Sequence, residues 1–255
     1  MWRSPAIGTV EDEETAAQNG FKPANTSPSS HVHKASGLAI FLMPTVLLTL
    51  IERFLFNFHS VTSNTLSLIF FPAARASPLI HHGLHFGGGL GLTTAQVGLA
   101  MSTSGLMIIP LSLIVYPKVS SKLGILRSYL MFLPVIIVLY AATPFMVFVP
   151  DRPLPVWIAL GVSMLMKAVS RTFTSPGSAI ILNNCVPNPS VRATVNGVGS
   201  SIAHAAVSVG PVIGGWGLGL GLKYNLVGAA WWGLAVVGLI QWLTLWQLRK
   251  YGLTK

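Results

Sequence analysis

From residue 44 onward, apolar positions fall into six long runs, 44–70, 93–116, 127–149, 155–182, 193–219 and 226–247. Each supplies the roughly 20 apolar-dominated residues that a helix needs to cross a bilayer. Barrel strands are runs of about ten residues with alternating polarity, a pattern not found here. The breaks between runs have recognisable chemistry. Pro44 suits a helix entry, and Thr93 or Thr94 suits the cap of the second helix. Pro110 should bend that helix, which is expected to end at Tyr116-Pro117, ahead of a basic connection PKVSSKLGILR. Pro150, Pro153 and Pro155 mark a tight turn, and NNCVPNPSVR closes the fourth run. The first run is the least regular, because Glu52 and Arg53 interrupt it. It reads as one helix, or alternatively as two short segments, one re-entrant, broken near Glu52. Residues 71–96 are rich in Pro, Gly and His and read as a floppy loop with a short interfacial turn.

Charge turns this pattern into a membrane assignment. Beyond the acidic cluster Glu11, Asp12, Glu13 and Glu14, the acids are Glu52 and Asp151 alone. A soluble domain of this size needs far more charge to cover its surface. The net charge of +10 does not mark a nucleic-acid binder, since the bases sit at segment ends and lack interleaved aromatics. Lys118, Lys122, Arg127, Arg192, Arg249, Lys250 and Lys255 gather at one set of ends; Arg75, Arg152 and Lys223 lie at the other. The positive-inside rule puts both termini in the cytosol. The residues fit a plasma or a vacuolar membrane equally. Residues 1–36 have no signal-peptide core and read as a disordered cytosolic segment; 37–255 reads as one six-helix bundle. Trp157, Trp231, Trp232, Trp242 and Trp246 lie toward segment ends and read as interfacial anchors.

Several polar side chains fall inside the runs, where hydrocarbon would penalise them. On the first helix, Arg53, Asn57, Ser60, Asn64 and Ser67 share a face, flanked by Glu52, His59 and Ser63. On the fourth, Ser163, Lys167, Ser170, Arg171, Thr174 and Ser178 form a stripe with two cations one turn apart. Against lipid each cation would cost at least roughly 2.5 kcal/mol. Three roles are open to the pair: lining a substrate path, pairing with Glu52, or snorkelling to the interface. On the fifth, Asn196, Ser200, His204 and Ser208 repeat at i,i+4, and Gly210 and Gly214 make a small-xxx-small step. The stripes of helices one, four and five are expected to meet in a shared cavity. Cys185 is the only cysteine, which excludes an internal disulfide and a Cys-based metal cluster. His81, His82 and His85 could bind a metal but have no carboxylate nearby in sequence, so a solvated loop is the simpler reading. No metalloprotease, hydrolase, phosphate-loop or dinucleotide motif is present. The expectation is no enzyme, no metal and no cofactor.

Two stretches resemble a known family. One is PKVSSKLGILRSY between helices two and three. The other is TSPGSAIILNNCVPNPSVRATVNGVGSSIAHAAVSVGPVIGGWGLGLG, spanning helices four and five. Together they look like the carboxy-terminal half of a major facilitator superfamily transporter, closest to the zinc-induced-facilitator-like and tetracycline-resistance-like groups of fungi and plants. The most specific part runs from Asn183 to Gly217 and includes Gly210-Pro211-Val212-Ile213-Gly214-Gly215. The resemblance implies an all-α polytopic membrane protein, the six-helix half of the major facilitator fold, with 3+3 inverted repeats. It places Lys118, Lys122, Gly124 and Arg127 at the family's cytosolic gate-like loop, here without its acid. It places Gly210, Pro211, Gly214 and Gly215 at helix packing.

The expected function is ion-gradient-driven secondary transport of a small solute, with possible proton coupling, by a truncated or half-length form. The alternative is a non-transporting membrane interaction protein or an inactive remnant. Expected partners are the lipid bilayer, the solute and a second six-helix half, with no nucleic acid. Substrate-path candidates are Arg171, Lys167, Asn57, Asn64, Glu52, Arg53, Asn196, Ser200 and His204. Arg171 and Lys167 favour an anionic or hydrogen-bond-accepting solute.

Overall fold

The computed structural model describes residues 41–75, 85–186 and 189–251. The expectation of disorder over 1–36 falls outside them. The described residues are almost entirely helical, and their β-type contacts are two isolated bridges, Arg75 with Gly88 and Phe86 with Leu226.

Helix α1 (Pro44–Phe70) starts with Pro at its first turn and runs unbroken through Glu52, so the re-entrant alternative is discarded. Helix α2 (Thr94–Pro110) begins with a capping box. The Thr93 hydroxyl accepts from the Gln96 amide at 3.3 Å, and the Gln96 side chain accepts from the Thr93 amide at 2.9 Å. The expected stop at Tyr116-Pro117 does not occur. A π-helical turn, Leu111–Val115, absorbs the disruption from Pro110, and α3 (Tyr116–Leu123) continues the rod. Pro117 lies just past that widened turn, which makes room for its ring. The connection to α4 (Ile125–Ala142) is therefore Gly124 alone, at φ 79°. The basic segment read as a gate-like loop is helical on both sides of that glycine. A 3₁₀ turn, Thr143–Phe148, ends α4; α5 (Pro153–Asn184), α6 (Pro189–Lys223) and α7 (Gly228–Lys250) follow.

Five spans are long and apolar enough to cross a membrane: Thr94–Leu123, Ile125–Phe148, Pro153–Asn184, Val191–Lys223 and Gly228–Lys250. Helix α1 is long enough, at 27 residues, but its polar stripe makes it less apolar than these five. Large apolar side chains such as Leu106, Leu113, Leu154, Val212 and Trp216 stand exposed on the outside. Water would penalise that surface, whereas lipid welcomes it.

Helices α1, α4, α5 and α7 form the centre, and α6 lies along α1. The α1–α6 seam is built from small residues. A Cβ on Gly214 would fall 2.2 Å from Thr62 Cγ2, and one on Gly210 would fall 2.5 Å from Thr62 Oγ1. Only glycine permits this approach, so van der Waals packing joins the two helices. Gly215 is half-buried beside Ile69, and Pro211 is half-buried within α6.

The two ends of the bundle are closed differently. At one end Val46 and Leu50 of α1 pack with Leu182, Cys185, Val186 and Val195. Cys185 is 5 % exposed, its thiol meets the Leu182 carbonyl at 3.1 Å, and burial pushes its pKa up, all properties of an inert filler. At the other end Phe86 is fully buried against Phe145, Phe148 and Trp232. The glycines beside it are docked: a Cβ on Gly89 would strike the Phe70 carbonyl at 2.0 Å. Arg75 ties this end together by donating to the carbonyls of Leu90 (3.2 Å) and Val149 (2.7 Å) and pairing with Asp151 (3.3 Å). Of the 71–96 segment, the described part before the Thr93 cap is thus fixed rather than floppy, and residues 94–96 already belong to α2. Trp231 also departs from expectation. It is a core residue packed on Phe70 and Tyr140, not an interfacial anchor.

Candidate functional site

The centre of the bundle contains a polar network that four helices assemble. Glu52 on α1 is fully buried. Its Oε1 accepts from the Tyr129 hydroxyl of α4 and from Gln241 Nε2 of α7 at 3.1 Å; its Oε2 accepts from the Ser178 hydroxyl of α5 at 3.2 Å. Ser178 in turn accepts from Arg53 Nη1 at 3.2 Å, so it bridges the adjacent acid and base. Gln241 is the hub. Its amide nitrogen also donates to Tyr129 Oη at 2.7 Å, and its oxygen lies 2.7 Å from His59 Nε2. That oxygen can only accept, so His59 Nε2 carries a proton.

The other ring nitrogen, Nδ1, lies 3.0 Å from Tyr140 Oη. Tyr140 can donate to a neutral ring. It can instead turn its O–H to the His59 carbonyl, 3.3 Å away, and accept from a charged one. Both protonation states of His59 therefore find partners. Close helix contact makes the network possible: a Cβ on Gly177, next to Ser178, would sit 2.8 Å from the Tyr129 ring.

Beside this network lie two small cavities that share lining residues. One, of about 20 Å³, is lined by Ser60 and Ser63 of α1, Tyr140 of α4, and Lys167, Ser170, Arg171 and Thr174 of α5. The other, of about 10 Å³, shares Ser63, Tyr140 and Lys167 and extends to Thr143, Ser163 and Trp231. Lys167 is 9 % exposed; Arg171 is exposed and also borders a groove of about 390 Å³ with Ser112, Tyr116 and Ser175. The π turn of the second span thus faces Arg171. Neither cation pairs with Glu52: the ion pair present among the described residues is Arg75 with Asp151. The two cations, one turn apart on α5, repel each other.

Only part of the expected shared cavity forms. Stripes from α1 and α5 meet, through Ser60, Lys167, Arg171 and Thr174. Asn57 lies half-buried and donates to the Arg53 carbonyl of its own helix at 2.8 Å; Asn64 is half-buried. The α6 stripe does not join. Asn196 donates to Asn183 Oδ1 at 2.7 Å near the α5–α6 junction, and Ser200 and His204 are exposed on the outside of α6. The gate-like residues Lys122, Gly124 and Arg127 border a cleft of about 470 Å³ with Ser120 and Asn184, while Lys118 points outward on α3. His85 is exposed; His81 and His82 lie outside the described residues.

Sequence reading missed Gln241, Tyr129 and Tyr140. One signal was available for Gln241, because a lone amide in the middle of an apolar run must find a partner on another helix.

The chain is similar to the major facilitator superfamily multidrug transporter mfsB of Aspergillus fumigatus, with 28% identity over 201 residues. The match covers 77% of this chain and 33% of that transporter, so the chain spans about a third of its relative's length. No family model matches the chain, and no solved structure matches it. The resemblance to the major facilitator superfamily thus has a match over 77% of the chain beside the motif likeness. The all-α body of membrane-spanning helices fits it.

Proposed function

We propose that this chain takes part in moving a small solute across a membrane as a secondary carrier, its six-helix body acting as one half of the working unit. The observation that carries this reading is a set of polar groups, on an apolar helical body, that face outward or lack a charge partner. Lys167 and Arg171 lie without a carboxylate partner among the described residues, and α6 turns Ser200, His204 and Ser208 outward. Hydrocarbon would penalise those groups, so a second six-helix body or a water path is their natural counterpart. The likeness to a multidrug transporter points the same way. The chain has no phosphate-binding loop, so an ion gradient is the energy source, and the His59 network supplies side chains suited to carry a proton. The bias of basic residues toward one set of helix ends supports cytosolic termini. No step in this reading makes or breaks a covalent bond in the solute.

The test is reconstitution of the purified chain in liposomes, with a pH gradient imposed and uptake of varied solutes followed. Saturable, gradient-dependent flux is expected. Correctly inserted, folded protein with no flux for any solute would instead favour a membrane interaction protein. A glycosylation acceptor placed after Lys250 should stay unmodified while one near His82 is modified; the reverse would overturn the orientation.

A further inference from the structure

The cavity beside Lys167 is chemically one-sided. Two cations border it, and the remaining polar lining is hydroxyl: Ser60, Ser63, Ser170, Thr174 and Tyr140. Among the described residues no carboxylate lines it or its smaller neighbour. The acids among the described residues are Glu52 and Asp151, and both are committed elsewhere. Glu52 is held by Tyr129, Gln241 and Ser178, and Asp151 by Arg75. Lys167 is about nine-tenths buried and has no hydrogen bond or ion pair among the described residues. Ser170 and Thr174 likewise make no side-chain hydrogen bond there, so their O–H groups are free to donate. A buried ammonium and a neighbouring guanidinium, ringed by donors and lacking an anion, form a site that wants one.

We propose that this pocket binds a single compact monovalent anion, held between Lys167 and Arg171 with Ser170 and Thr174 donating to it. The volume of about 20 Å³ sets the size. It holds roughly one water-sized group. A halide fits, and so does the carboxylate head of an organic solute; sulfate does not. Arg171 also borders the larger groove with Ser112 and Tyr116, so an organic carboxylate can place its head in the pocket and its body in the groove. The carboxylate form rests on the transport reading above; the halide form stands without it.

Thermal unfolding of the purified full chain in detergent tests the proposal, with sodium chloride, bromide, benzoate and sulfate compared at equal ionic strength. Chloride and bromide, or benzoate, should raise Tm by a few degrees over sulfate. The rise should vanish in Lys167→Met. Stabilisation by halides alone identifies an inorganic ion; stabilisation by benzoate alone identifies a solute head; stabilisation by both, with mutual competition, identifies one pocket serving either. Equal stabilisation by sulfate, no stabilisation by any salt, or a rise that survives in Lys167→Met would each overturn the site. If Lys167→Met does not fold, the pair Ser170→Ala with Thr174→Val keeps both charges and should weaken apparent affinity at least threefold; unchanged affinity overturns the proposal. Anion binding without flux would refute the transport reading and leave the site standing. Flux without anion binding would do the reverse.

Discussion

Replacing Gln241 by Leu tests the central network most directly, because one side chain serves three partners. In the wild type it donates to Glu52 (3.1 Å) and Tyr129 (2.7 Å) and accepts from His59 (2.7 Å). Leucine keeps most of the volume and removes all three bonds. Tyr129 keeps its bond to Glu52, and Glu52 keeps Tyr129 and Ser178, so each of these loses one bond among several. His59 Nε2 is left buried with no partner, which costs about 1–3 kcal/mol. The other two bonds add about 0.6 kcal/mol each, the typical value between membrane helices. The expected loss is therefore about 2–4 kcal/mol. Cys185 supplies the assay, since the chain's one thiol is buried in the fold and labels with a maleimide dye only on unfolding. Denaturant titration of that labelling gives the loss directly. His59→Leu combined with Gln241→Leu should cost less than the two single changes added, by at least about 1 kcal/mol, because the orphaned ring is gone. A strictly additive cycle, or a Gln241→Leu loss under about 0.5 kcal/mol, would refute the network as a stabilising unit.

The same assay separates two glycines of α6. Gly214→Ala should cost about 1–3 kcal/mol because its Cβ meets Thr62 at 2.2 Å, whereas Gly217→Ala, with nothing within 4 Å, should be neutral or slightly stabilising; similar costs at both would sink the tight-seam account. Arg75→Ala should speed amide exchange at Gly89 and Gly91, which are held against the Ala73–Ala74 backbone near the Arg75 side chain, by at least tenfold. Unchanged exchange there would mean that the burial of Phe86 alone fixes the segment.

Periodicity within one helix was the most legible level of this chain. Each of the six apolar runs overlaps a helix, and five of those helices are long and apolar enough to cross a membrane, because apolar length is a property of the run itself. The second helix was cut short at Pro117 because a proline reads as a stop unless the preceding turn can widen, and the π turn at Leu111–Val115 does widen. The candidate site was legible only in part, for a related reason. Spacing shows that Asn196, Ser200 and His204 share a face, but not which face packs. The neighbouring row of Val195, Gly199, Ala203, Ala206, Gly210, Gly214 and Leu218 is the buried one. Close approach of backbones chose the small residues and turned the polar ones outward. Tyr129 and Tyr140, three turns apart on α4, and Gln241 on α7 belong to no polar stripe of their own helices, and their meaning arises only where four helices converge.

Gly124 is the whole connection between the second and third spans. A longer loop would have slack and could let its two helices tilt independently. One residue has none, so α3 and α4 are coupled like two rods on a single pin. Any tilt of the second span must then be divided between that pin and the widened turn at Leu111–Val115, the other place where its regular hydrogen bonding is interrupted. Helix α2 above that turn buries only Val97 and Ala100. It is the lightly held arm of a two-jointed lever, and Arg171 sits opposite the upper joint.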